Sequence, residues 1–94
     1  MISFIKKLEA AWRQNNSLVC VGLDPDVNKL PACLAGSAKP IFEFNKAIID
    51  ATHDLVCCYK PQAAYYAAAE ADDQLKMTIA YIREKYPEIP VILD

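Results

Sequence analysis

Leu55-Val56-Cys57-Cys58-Tyr59-Lys60-Pro61 is the stretch that decides the fold. Five apolar residues run together and stop on a charge and a proline, which is how a short buried strand reads. Two other segments repeat the pattern. Leu18-Val19-Cys20-Val21-Gly22-Leu23 gives way to Asp24-Pro25-Asp26 and reads as a strand buried on both faces. Val91-Ile92-Leu93 follows Pro87 and Pro90 and stops on Asp94. The three runs begin near positions 18, 55 and 89, a spacing of about 35 residues that leaves room for a helix between strands.

The intervening sequence supplies those helices. Before the first strand, Phe4, Leu8, Ala11 and Trp12 recur at helical spacing over 3–15, with Ser3 as cap and Asn15-Asn16-Ser17 as stop. Pro40 suits a first turn, and Ile41, Phe44, Ile48, Ala51 and Leu55 keep helical spacing to about Asp54. Between them, 27–39 is broken by Pro31 and Gly36 and reads as a loop with one helical turn. Gln62–Glu70 is alanine-rich and helical by propensity. Asp72 and Asp73 are placed to cap a further helix with Leu75, Ile79, Ile82 and Tyr86 on its core face. Strand–helix–strand alternation of this kind builds a parallel sheet.

Composition narrows the class. At 54% hydrophobic and 23% charged residues, the chain has the makings of a folded α/β unit. Ten basic against twelve acidic residues leave a formal charge of −2, so the basic footprint of a nucleic-acid binder is missing. No apolar run approaches the ~18 residues of a membrane span. Lys6, Lys7 and Glu9 interrupt the amino-terminal apolar residues too early for a secretory signal, so a cytoplasmic location is expected. Cys20, Cys33, Cys57 and Cys58 show neither CxxC nor zinc spacing, and read as reduced thiols serving as small apolar residues. Cys57 and Cys58, if both lie in a strand, point to opposite faces.

All three apolar runs end on a charge: Asp24, Lys60 and Asp94. In α/β proteins the carboxyl ends of parallel strands carry the chemistry. Neighbouring strands lie about 4.8 Å apart, so a central Lys60 could reach both carboxylates and hold a fixed array of alternating charge. Such an array binds a polar ligand or stabilises charge that develops in a reaction. Strands also end in polar residues simply because the chain is entering solvent, and periodicity does not choose between the two. The remaining candidates read as structural. His53 sits at a helix end, where a cation meets the negative pole of the dipole. Tyr65 and Tyr66 read as packing, and Lys6 and Lys7 as a solvated face. Neither GxGxxG nor a Walker pattern occurs, so no dinucleotide or phosphate-loop site is indicated, and the missing CxxC and zinc spacings indicate no metal site.

Taken in order, Val21-Gly22-Leu23-Asp24-Pro25-Asp26, Phe44-Asn45-Lys46, Tyr59-Lys60-Pro61-Gln62-Ala63-Ala64-Tyr65-Tyr66 and Pro90-Val91-Ile92-Leu93-Asp94 form a recognisable set. The set resembles the amino-terminal third of the orotidine 5′-phosphate decarboxylase family, in its longer bacterial branch. That family is a parallel (β/α)8 TIM barrel. The resemblance implies that residues 1–94 are the amino-terminal portion of a single barrel domain: an initial helix, then the first three strands and their helices. It implies cofactor-free, metal-free decarboxylation of orotidine 5′-phosphate to UMP in de novo pyrimidine synthesis, by a lyase that is a homodimer at full length.

By the same resemblance, Asp24 would bind the substrate ribose. Lys60 would contact the ribose and anchor the charge network. Asp94 would be the first acid of an Asp-x-Lys-x-x-Asp motif, set against the substrate carboxylate. The lysine and second aspartate of that motif are not among these 94 residues, so the chain alone is expected to be inactive. Two other readings compete with it. One is a non-catalytic α/β fragment serving as an assembly or binding module, since unpaired strand edges call for a covering chain. The other is an unrelated small nucleotide binder, which would have to work without a phosphate loop.

Overall fold

The computed structural model describes residues 3–94; Met1 and Ile2, where the signal-peptide reading begins, lie outside the described residues. Helix α1 spans Phe4–Asn15. The Ser3 hydroxyl caps it by accepting the Lys6 N–H at 3.2 Å, and Asn16 ends it in the left-handed conformation at φ 49°. The Asn15 side-chain amide then donates to the carbonyls of His53 (3.0 Å) and Val56 (2.8 Å). That pair of bonds fastens the first helix to the connection ahead of the second strand.

Strand β1 (Cys20–Leu23) lies parallel to β2 (Cys58–Pro61), with Gly22 opposite Lys60 and Leu23 opposite Pro61. Between them come two short 3-10 turns, Val27–Lys29 and Ala32–Leu34, and helix α2 (Pro40–Thr52) with proline in its first turn. After β2 come α3 (Ala63–Ala68) and α4 (Asp72–Lys85). Asp72 and Asp73 do not cap α4. Ala71 holds the cap position with no side-chain bond, and the two acids occupy the first turn, where they complement the helix dipole.

The third apolar run joins the sheet through a single parallel bridge, Tyr59 to Val91. Its ladder is real but interrupted. Tyr59 N–H donates to Pro90 O (3.1 Å), Ile92 N–H to Tyr59 O (2.8 Å), Asp94 N–H to Pro61 O (3.0 Å) and Ala63 N–H to Asp94 O (2.7 Å). The rung between these would run from residue 61 to Ile92 O, and proline has no N–H to make it.

The sheet is covered on one face. Leu23, Ile49, Val56, Tyr59, Ile82 and Ile89 form the main core, with Val21, Ile48 and Val91 packed against it, so α2 and α4 lie over the Val21/Leu23 side. A smaller cluster of Ile41, Tyr66, Ala71 and Leu75 closes the end where α3 meets α2 and α4. The expectation of a first strand buried on both faces from Leu18 is therefore corrected. Leu18 is 79% exposed, Val19 is 56% exposed, and Cys20 and Gly22 also face outward.

The thiols divide in the same way: Cys57 and Cys58 are buried, whereas Cys20 and Cys33 are exposed rather than small core residues. Cys57 precedes β2, so strand alternation does not separate it from Cys58, and the two sulfurs lie 4.0 Å apart. Burial, then the Cys20 and Cys57 thiols nearby, raise the Cys58 pKa, which keeps that sulfur protonated and unreactive.

On the outer surface, α2 and α4 are stapled by one carboxylate. Asp50 accepts the Tyr81 hydroxyl at 2.5 Å and the Tyr86 hydroxyl at 2.8 Å, and Lys85 Nζ lies 3.5 Å away. His53, at the end of α2, stacks on Tyr86 with ring centroids 4.4 Å apart. The Tyr81 hydrogen bond holds the Asp50 carboxyl below its usual range; partial burial opposes it, and Tyr86 and Lys85 reinforce it. A carboxyl depressed in the folded state stabilises it above the unfolded value, about pH 4, and that support fades as pH falls through the folded value. Asp50→Asn is therefore expected to flatten the acid limb of the thermal-stability profile in the window below about pH 4. Melting temperatures across that window check it, and an acid limb as steep as that of the unsubstituted chain would contradict the staple.

Candidate functional site at the carboxyl ends of the strands

The alternation that turns Val21, Leu23 and Tyr59 toward the helices turns Gly22 and Lys60 to the open face. Lys60 Nζ lies 3.4 Å from Asp94 Oδ2, with both side chains about half exposed. Asp24 follows β1 directly, so all three charges stand at the carboxyl ends of adjacent parallel segments.

The structure brings two of the three charges into contact. Lys60 pairs with Asp94, and no ion pair joins it to Asp24 among the described residues. The expectation of one lysine spanning both acids is corrected. Asp24 has a different partner: its Oδ1 accepts the backbone N–H of Gln62 at 3.0 Å. The other oxygen, Oδ2, lies close over Gly22: a Cβ built there would meet it at 3.0 Å, so any larger residue would push the carboxylate aside by a few tenths of an ångström. The carboxylate is thus folded back over β1 and latched to the first residue beyond β2. An acid satisfied by a neutral donor has less need of the ammonium.

A hollow of about 350 Å³ borders Asp24, lined by Asp24, Asp26, Lys29, Phe44 and Tyr65 among others. Neither Lys60 nor Asp94 lines it, so Asp24 is the one charge of the three that faces this hollow. Tyr65 is 47% exposed here, whereas Tyr66 is wholly buried, so the adjacent tyrosines do different work. Among the described residues no group of three or more His, Cys, Asp or Glu is placed to hold a metal ion, and no helix is long and apolar enough to cross a membrane.

Beneath the site runs a buried polar chain that residue spacing did not reveal. The Asn45 side-chain amide donates to Tyr66 Oη (2.9 Å) and to Thr78 Oγ1 (3.1 Å), and Thr78 donates to Gln74 O (2.8 Å). Tyr66 Oη–H donates in turn to Leu23 O at 2.6 Å, one residue before Asp24. Asn45, Thr78 and Tyr66 are each exposed by 1% or less, and no buried side-chain polar atom among the described residues lacks a partner. The signal available in sequence was Asn45 on the apolar face of α2, in register with Ile41 and Ile49. A buried amide demands partners, though nothing in the spacing said which.

No family model matches this chain. Individual proteins do. The orotidine 5′-phosphate decarboxylase of Cellvibrio japonicus (strain Ueda107) is 62% identical over 95 residues, covering 99% of this chain and 35% of its own length. That of Dechloromonas aromatica (strain RCB) is 62% identical over 93 residues, covering 99% of this chain and 34% of its own. A crystal structure described as a putative orotidine-monophosphate-decarboxylase from Toxoplasma gondii superposes with a TM-score of 0.84 at 34% identity, over 98% of this chain and 30% of that one. The chain spans about a third of the length of the curated relatives it matches.

Proposed function

We propose, on the premise that this chain is homologous over nearly all its length to the orotidine 5′-phosphate decarboxylases, that it is the amino-terminal part of such an enzyme's single TIM-barrel domain. In that enzyme it would contribute Asp24, Lys60 and Asp94 to the decarboxylation of orotidine 5′-phosphate to UMP. The observation that carries the reading is the Lys60–Asp94 pair at 3.4 Å, beside Asp24, at the carboxyl ends of parallel segments. That is where barrel enzymes bind their substrates.

In this reading Asp24 takes the ribose hydroxyls with the oxygen left free by Gln62. Lys60 reaches the ribose on one side and anchors Asp94 on the other. Asp94, held by its cation, sets negative charge against the substrate carboxylate. Loss of CO₂ leaves an electron pair on the pyrimidine carbon. The family's motif lysine, two residues after the acid at Asp94, would stabilise that carbanion and protonate it. The residues of this chain would do the binding and the electrostatic positioning, and a second copy of the full-length protein would complete the family's homodimer.

The uncovered sheet face and the exposed Leu18, Val19 and Leu93 support the assignment to a larger barrel. They equally suit the second reading, an assembly module whose task is only to dock. One experiment separates them. The 94-residue chain is mixed with a polypeptide carrying the portion of the Cellvibrio japonicus relative that it does not match. Alone, neither piece should consume orotidine 5′-phosphate. Together they should co-elute on size exclusion and give the fall in ultraviolet absorbance that accompanies conversion to UMP. A complex without turnover favours the docking module, and two separate peaks reject both.

A further inference from the structure

The hydrogen bonds around Leu23 are exchanged relative to a regular parallel ladder. Tyr59 and Pro61 turn their peptide groups toward the 90–94 segment, so the alternate residues Lys60 and Gln62 turn theirs toward β1. The next rung should be Gln62 N–H to Leu23 O. Instead Gln62 N–H donates to Asp24 Oδ1 at 3.0 Å, and Leu23 O receives the Tyr66 hydroxyl at 2.6 Å. The phenol has taken the acceptor that the ladder would have used, and the amide released by the exchange holds the carboxylate.

Tyr66 is locked for that task. Its ring is fully buried, and its oxygen accepts from Asn45, which leaves its single proton directed at Leu23 O. Burial pushes the phenol up; the Asn45 hydrogen bond opposes this and the Asp24 charge adds to it, for a value of about 12. The hydroxyl is therefore a donor throughout the neutral range. From this geometry we infer that Tyr66, oriented by Asn45, is a positioning residue for Asp24: by capping the Leu23 carbonyl it frees the Gln62 amide to hold the Asp24 carboxylate at the site. The inference deepens the reading above, in which Asp24 meets the substrate, but the latch itself can be tested without substrate.

The Gln62 amide reports the latch, because a hydrogen bond carries a scalar coupling from the donor nitrogen to the carbon of the acceptor group. In the unsubstituted chain that coupling should run to the Asp24 carboxyl carbon, and Asp24→Ala should abolish it. In Tyr66→Phe the amide is expected to return to Leu23 O, so the coupling to Asp24 should be lost and one to the Leu23 carbonyl carbon gained. Tyr59→Phe is the control. It removes another buried phenol, one that donates to Ile49 O at 3.1 Å, and it should leave the Gln62–Asp24 coupling intact. A folded Tyr66→Phe chain whose Gln62 coupling still runs to Asp24 overturns the inference.

Should Tyr66→Phe fail to fold, the unsubstituted chain still decides. The Tyr66 hydroxyl proton should exchange slowly and show a cross-relaxation peak to the Leu23–Asp24 peptide. A rapidly exchanging hydroxyl with no such peak overturns the inference. The substrate reading fails separately. If Asp24→Asn, in complex with the complementary portion of the relative, converts orotidine 5′-phosphate as well as the unsubstituted chain does, Asp24 is no substrate ligand, whatever holds it.

Discussion

Lys60→Ala, assayed in the reconstituted complex, should lower kcat/KM for orotidine 5′-phosphate by about 10²–10³-fold, the usual loss when one preorganised charge is removed from a site. The reason is local. The ammonium is 3.4 Å from Asp94, and the only other ion pair among the described residues is the remote Lys85–Asp50 bridge. Without Lys60, Asp94 has no fixed cation, and in the proposed reading the ribose loses a donor. The fold itself should hardly notice, because both partners are about half exposed and pairs of that kind contribute under about 1 kcal/mol. Large loss of turnover with an unchanged urea midpoint is the expected signature. Activity within threefold of the unsubstituted complex would remove Lys60 from the machinery.

The largest expected effect on stability lies on the other side of the sheet. Ile82 is fully buried in the main core, between the sheet and α2. Ile82→Ala removes three carbons from a site closed by Tyr59, Ile49 and Ile89, and should cost about 2–5 kcal/mol. Domains of this size hold only about 5–15 kcal/mol in total, so the urea midpoint should drop by about 1–3 M. Leu18→Ala, at a position 79% exposed, should stay within about 0.5 kcal/mol. Comparable midpoints for the two variants would mean that the α2–α4 face is not the core.

The elements themselves were largely legible. Apolar spacing placed α1, α2 and α4 within two residues of their observed ends, and the breakers Pro31 and Gly36 marked the irregular stretch before α2. The three runs near 18, 55 and 89 placed the sheet, and the comparisons agree with the barrel family read from the ordered motifs. Errors came where a local rule met a tertiary one. An apolar run such as Leu18–Leu23 reads as buried on two faces, although burial depends on what covers each face, and here only one is covered. Asp72 and Asp73 are good cap residues, yet the chain arrives through Ala71 and leaves them in the first turn.

At the candidate site the division is sharper. Sequence alone determined which charges stand at the ends of the three strands, because side-chain alternation follows from covalent geometry and strand spacing from the interstrand hydrogen bond. Which of those charges touch was decided only in three dimensions. Gly22 leaves room for the Asp24 carboxylate, Pro61 cannot complete the ladder to Ile92, and Tyr66 takes the carbonyl that Gln62 would otherwise have bonded. Each of these outcomes is a competition for one donor, one acceptor or one pocket of space among residues far apart in the chain. Such competitions are settled when α2, α3 and α4 pack on the sheet, and no local pattern encodes their result.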